Sequence, residues 1–239
     1  MQDVLDTFSD NVLEVERYFR FLTLTLEPDA KLRLPHKRTR RDRPIDDQTQ
    51  RILKATALLI LYNLAESTVR GAISAVYKAI SHDDLTLAGL RVEIRDVWLK
   101  YRTSDLTKGP VGVDTIRAKT HSIVEEIIEQ AFVTIDERFI SISGNLDARK
   151  IRKLAEEHGF SAKVIRSANQ GTSLKIVKDK RNELAYGVTS FARCGGEFVP
   201  SQLETIKKET VIYLRNILRN VKRYIDGREY TVRPRTASA

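Results

Sequence analysis

From Ile52 to Ile80 the chain is apolar on most sides of a helix. Leu53, Ala57, Leu58, Ile60, Leu61, Leu64, Ala65, Val69, Ile73 and Val76 leave little room for a polar face. A helix of that kind has to be surrounded by other elements, so the segment predicts the central member of a helical bundle. The most apolar stretch, Ala55 to Tyr62, is flanked by polar residues. It falls short of the ~18 uninterrupted apolar residues that mark a membrane span.

The remaining sequence supplies the surrounding helices. Residues 3–26 place Val4, Leu5, Phe8, Val12, Val15, Phe19 and Leu22 at three-and-four spacing, and Glu27-Pro28-Asp29 stops that helix. The central helix is expected to start near Asp47, with Gln50 reaching back to complete a capping box. Further helices are expected over 85–101, 115–135 and from Asn145 or Asp147 to Glu157, the last closed by His158-Gly159. Ser173 to Tyr186 forms the next, ended by Gly187. Ser201-x-x-Glu204 behind Pro200 predicts a capping box for a long final helix reaching about Ile225.

Residues 103–114 and the stretch with Gly195-Gly196 read as loops. Phe139 to Ser143 alternates like a short strand, and Val232 to Ala239 reads as a frayed tail. With short linkers and no internal repeat, residues 1–239 are expected to form one all-α bundle with long central helices.

Lys and Arg outnumber Asp and Glu by 41 to 32, a net charge of +9 that is compatible with a polyanionic partner. Much of the excess lies in Lys31 to Arg43, which holds seven basic residues, one acid and one proline. Like charges at that density do not pack, so the segment is expected to be a loop or mobile arm. Cys194 is the only cysteine, which excludes an intrachain disulfide and a thiolate metal cage. The N-terminus lacks the basic-then-apolar order of a secretory signal, and a cytoplasmic protein is expected. His36, His82, His121 and His158 stand far apart without ligand spacing, so no metal and no cofactor is expected. Phosphate-loop, dinucleotide and nucleophile-elbow motifs are absent as well.

What remains is Lys178-Asp179-Lys180-Arg181-Asn182-Glu183-Leu184-Ala185-Tyr186-Gly187, followed by Ser190-Phe191. The string RNELAYG-x-x-SF resembles the motif of HEPN domains, in which Arg and a polar residue lead to His a few positions later. Two more pieces resemble the MAE-type branch of that superfamily. One runs from Leu59 to Arg70 (LILYNL-x-ESTVR), the other from Gly144 to Ile151 (GNLDARKI). The three motifs stand in the family's order and span nearly the whole chain.

The resemblance implies a helical bundle, commonly dimeric, and a metal-independent endoribonuclease of the kind found in toxin–antitoxin or phage-defence systems. RNA is then the partner, a second copy completes a composite site, and an antitoxin or defence-system partner is possible. In such a site a 2′-hydroxyl attacks the adjacent phosphate and leaves a cyclic phosphate. Arg181 matches the residue that stabilises the phosphorane, because a guanidinium stays charged. Asn182 matches the polar residue beside it. Tyr186 occupies the place of the His, and a phenol, ordinarily titrating near ~10, is a poor general base at neutral pH. Three readings of Tyr186 stay open: an inactive copy, a hydrogen-bond donor, or an inactivating substitution.

Arg38, Arg40 and Arg41 of the arm, with Lys180 beside the motif, are the residues expected to hold the RNA backbone. Two readings compete with the ribonuclease: a non-catalytic RNA-binding module, and a purely structural dimerisation bundle. On those readings Arg181 merely pairs with Asp179 or Glu183 on a solvated helix face. Helical geometry adds one constraint, since positions 181 and 186 lie ~140° apart on an ideal helix. They do not point the same way unless the last turn unwinds, so a partner chain is expected to complete the site. Glu66, on an otherwise apolar helix, needs a partner if buried, and Arg70 one turn on is the nearest candidate.

Overall fold

The computed structural model describes residues 1–34, 41–107, 109–140, 142 and 144–232. Among them eight α-helices and one two-stranded sheet follow one another as α1 (Gln2–Leu26), β1 (Lys31–Leu34), β2 (Arg41–Pro44), α2 (Asp47–His82), α3 (Val92–Arg102), α4 (Val113–Ile128), α5 (Ala148–His158), α6 (Thr172–Ala185), α7 (Phe191–Gly196) and α8 (Pro200–Asp226). The fold is an all-α bundle, and α2 is its hub, packed against α1, α6, α7 and α8.

Burial on nearly every side explains the composition of α2: Ala57, Leu58, Leu61, Ala65 and Val76 are all fully enclosed. Among the described residues α2 is the one helix long and apolar enough to cross a membrane, with a mean hydropathy of 1.3 over 18 residues. Half of that window is buried inside the bundle, as a core helix requires. Glu66 does take Arg70 as its partner, at 3.7 Å. Arg70 also donates to the Ile140 carbonyl at 3.1 Å.

Several helix starts differ from expectation for local reasons. Asp46, not Asp47, caps α2 by accepting the Thr49 amide at 2.8 Å. Gln50 donates to the Thr25 carbonyl at 2.8 Å, tying the start of α2 to the end of α1 in place of closing a capping box. At α8, Pro200 takes the first helical position, where its missing N–H costs nothing. That makes Val199 the cap, and Gln202 accepts its amide at 3.0 Å. Glu204 is left to pair with Lys207 at 2.8 Å.

Helix α3 begins only at Val92, because residues 85–91 bridge other segments. Leu85 accepts the Val133 amide at 2.8 Å, and Leu90 bridges Thr231. Helix α4 stops at Ile128, and the chain turns at Gln130 with φ +53°. No strand forms among the described residues of 139–143. The alternation there buries Ile140 and Ile142 against the core.

The described residues of the basic arm are paired strands and not a loop. Lys31–Leu34 and Arg41–Pro44 pair antiparallel, with Lys31 opposite Pro44, Leu32 opposite Arg43 and Arg33 opposite Asp42. Pairing satisfies the backbone while Lys31, Arg33 and Arg43 stay in water, and Asp42 bonds Arg33 at 3.2 Å. The intervening residues 35–40, with Arg38 and Arg40, lie outside the described residues, as do residues 233–239 of the tail. The Gly195-Gly196 stretch is also not a loop. It ends helix α7, which Ser190 caps by accepting the Arg193 amide at 3.2 Å. Helix α7 lies directly against the start of α2, where Gly195 faces the backbone of Arg51 and Ala55.

One buried polar group gives the bundle a pH dependence. His158, at the end of α5, donates from Nδ1 to the Leu154 carbonyl at 2.8 Å, which leaves Nε2 to accept from the Tyr77 hydroxyl at 3.0 Å. Burial outweighs the Leu154 carbonyl and nearby Glu157 and lowers the imidazole below its ordinary range. A depressed folded-state value means that the unfolded chain takes up the proton first. Stability is therefore full above about pH 6.5 and falls as pH drops towards the folded value. The urea midpoint is expected to fall between about pH 7.5 and about pH 5.5, and by less in His158→Gln. Equal falls in both proteins would show that other groups govern the slope.

Candidate functional site

Helix α6 carries its charged residues on two separate faces. Positions 178, 181 and 182 are one turn apart and meet the loop that precedes α5. Lys178 bonds Asp147 at 3.1 Å, and Asp147 caps α5 by accepting the Lys150 amide at 3.0 Å. Burial opposes ionisation of Asp147, yet the Lys150 amide and the Lys178 ammonium prevail and hold its carboxyl below the usual range. One turn further on, Asn182 donates to Asn145 Oδ1 at 3.1 Å. Two polar ties therefore fix the 144–147 loop against α6.

Arg181 lies between these ties. Its guanidinium carbon sits 4.9 Å from the ring centroid of Tyr62, a buried residue of α2. A cation over an aromatic face is held by about 0.5–2 kcal/mol, depending on how far water is excluded. The Tyr62 hydroxyl accepts the Leu146 amide at 3.4 Å, so the ring is braced by the same loop. Burial pushes the phenol above its usual range and keeps it neutral. Gly144 has φ +75°, and a Cβ there would stand 3.6 Å from Arg181 Nη1. Arg181 Nη1 donates to Asn182 Oδ1 at 3.1 Å. Among the described residues this is the one hydrogen bond its fork of five N–H groups makes.

Asp179 and Glu183, the acids nearest Arg181 along the helix, are engaged elsewhere. Asp179 pairs with Lys175 at 2.8 Å and with Lys178 at 3.1 Å. Glu183 pairs with Lys180 at 2.8 Å. Lys180 also reaches Glu197 at 2.7 Å, and Glu183 and Glu197 together hold its ammonium above its usual range. Lys180 thus belongs to the face towards α7, away from Arg181.

Tyr186 stands apart from the pair. It caps the C-terminus of α6, just past Ala185, and the helix does not unwind towards it. Gly187, at φ +68°, donates to the Leu184 carbonyl at 3.2 Å, and Val188 donates to Glu183 at 2.9 Å. This left-handed ending satisfies the free carbonyls and needs a glycine at 187. It directs Tyr186 into solvent, 74% exposed, near the equally exposed Val188 and the less exposed Phe191. Of the other residues expected to hold RNA, Arg41 opens β2, while Arg38 and Arg40 lie outside the described residues. Among the described residues no group of three or more His, Cys, Asp or Glu side chains comes together. Cys194 is enclosed behind Lys180, and burial pushes its thiol up to about 11.

Tyr62, Gly144 and Asn145 are the members of the constellation that residue-by-residue reading missed. Tyr62 looked like core, and it is core. Only its contact with Arg181 makes it part of the site. A signal was available, because each residue lies within one of the two outlying motifs, and the fold brings both motifs onto the third.

An all-α bundle with an Arg-Asn pair braced at the end of one helix, and with three sequence motifs meeting there, defines a HEPN domain. The model of the MAE_28990-like HEPN family matches residues 1–230, and the chain belongs to that family. No curated protein and no solved structure matches it.

Proposed function

We propose that this chain is a HEPN-type endoribonuclease that uses Arg181 and Asn182 on an RNA phosphate. The observation that carries the reading is Arg181 itself. It is fixed over Tyr62, its neighbouring acids are engaged with lysines, and most of its donor fork is open. A preorganised cation of this kind is suited to the charge that builds up on a phosphorane. The RNA 2′-hydroxyl attacks the adjacent phosphorus, the bond to the 5′-oxygen breaks, and a cyclic phosphate and a 5′-hydroxyl remain. Asn182, held by Asn145, orients the phosphate or the side chain of a second protomer.

The two-protomer arrangement is part of the proposal. Residues 181 and 186 diverge within one chain, and the exposed Tyr186, Val188 and Phe191 form an apolar surface at this helix end. Two copies meeting there would bring Tyr186 of one towards Arg181 of the other. The paired strands 31–34 and 41–44, with Arg38, Arg40 and Arg41, would hold the RNA backbone without sequence preference. The biological setting this reading fits is a cytoplasmic toxin or phage-defence effector, restrained by an antitoxin or another partner of the system.

A second reading is favoured by the exposure of Tyr186. A phenol in open solvent has no neighbour to activate it, and a chain so equipped serves as a non-catalytic RNA-binding module. The experiment that tests the ribonuclease reading incubates the purified chain with total RNA in chelator and reads the new ends. Fragments with cyclic phosphate ends, lost in Arg181→Ala, are expected. RNA left intact by a folded, dimeric protein would favour the binding module.

A further inference from the structure

Between Ala148 and Gln170 the chain carries six basic residues against two acids. Helix α5 displays three of them, Arg149, Arg152 and Lys153, three and four residues apart on its exposed face. Lys163 and Arg166, also exposed, follow in the connection to α6. Among the described residues none of these five pairs with an acid. Asp147 is taken by Lys178 at 3.1 Å, Glu157 lies 3.7 Å from Lys100, and the exposed Glu156 bonds none of them. Arg152 donates to the Gln170 carbonyl at 3.3 Å. Helix stability does not explain this arrangement. Like charges one turn apart repel, cations in a first turn oppose the helix dipole, and α5 has no acid in its first turn to offset them.

We infer that the outer face of α5 holds phosphates of the RNA strand that flank the one at Arg181. The inference rests on the reading of Arg181 given above and extends it to a second subsite. Two observations select RNA as the occupant. The first is continuity. Asn145 accepts from Asn182 at 3.1 Å, and Arg149 follows Asn145 by only four residues, so their Cα atoms lie within about 14 Å. The second is what the face lacks. No large apolar residue of α5 is exposed. A protein partner buries aromatic and apolar side chains at the centre of its contact, and this face offers none, whereas a phosphate backbone requires only cations. The amides that open α5 are no part of the subsite, because the Asp147 carboxylate caps them, accepting from Lys150 at 3.0 Å.

Binding of a labelled single-stranded RNA of mixed sequence, about 20 nucleotides long, to the full chain tests the inference. The variant carries Arg149→Ala and Lys153→Ala. Both positions are exposed, and their side chains hydrogen-bond to nothing among the described residues, so the urea midpoint should not fall. Two lost phosphate contacts should lower the slope of log affinity against log salt by about 1.4, at ~0.7 each on a single strand, roughly a 25-fold loss of affinity at about 0.1 M salt. The same loss should appear in an Arg181→Ala background, because the two subsites take different phosphates. Arg17→Ala with Arg20→Ala is the control. It removes equal charge from α1, which packs on α2 and α8, and should leave the slope unchanged. Weakened binding in the α5 variant of a chain that cleaves no RNA would uphold this subsite and sink only the ribonuclease reading. An unchanged slope in the folded α5 variant, or an equal fall in the α1 variant, would overturn the inference whether or not the chain cleaves RNA.

Discussion

Replacing Tyr186 with histidine is expected to raise RNA cleavage by ~10²–10⁴-fold, the usual contribution of general acid–base transfer. Adding Arg181→Ala to that variant is expected to remove the gain. The reasoning rests on what already stands in place. Arg181 is braced over Tyr62, Asn182 is tied to Asn145, and Gly187 closes the helix in a left-handed turn. The missing part is a group that moves protons near neutral pH, and an imidazole at position 186 supplies it. Because residue 186 is exposed, the substitution has no packing to disturb. Cleavage should proceed equally well in chelator and leave cyclic phosphate ends. If the folded histidine variant cleaves RNA no faster than the wild type, proton transfer at position 186 is not what limits this chain.

Gly195→Ala is expected to cost more than about 3 kcal/mol of stability, at or beyond the upper end of ordinary overpacking. A Cβ at position 195 would lie 1.8 Å from the Arg51 carbonyl oxygen and 3.0 Å from the Ala55 amide nitrogen. Both are backbone atoms of the hub helix, and neither can step aside without moving α2. The neighbouring Gly196→Ala is the control. Its nearest atom would be Nη1 of the flexible Arg51 side chain, at 3.4 Å, and a change within about 1 kcal/mol is expected. The urea midpoints of the two variants check this. Equal midpoints would mean that α7 does not sit as tightly on α2 as the distances require.

The same contact shows why some of the fold was legible in the sequence and some was not. The long helices could be read from spacing, because Val15, Phe19 and Leu22 or Ile217, Leu218 and Val221 repeat every three or four residues and are buried. Helix α7 has only six residues and ends in two glycines, which ordinarily mark a loop. Gly195 is there for close packing on α2, a tertiary fact that no local pattern records. The paired strands were hidden in a similar way. Charge density in 31–43 argued against packing, but two solvent-facing strands pair through their backbone and bury little. At the site, Arg181 and Asn182 were legible from the motif. Tyr62 and Asn145 were not, because their role depends on three distant segments meeting.

The central claim is that Arg181 handles an RNA phosphate, and the most direct measurement is the salt dependence of RNA binding by the wild type and Arg181→Ala. Each phosphate contact contributes about one to the slope of log affinity against log salt, and somewhat less for single strands. The Arg181→Ala protein is expected to bind more weakly, with a slope smaller by about that amount. Identical affinity and slope in the two folded proteins would contradict the account, and would leave Arg181 a structural cation over Tyr62.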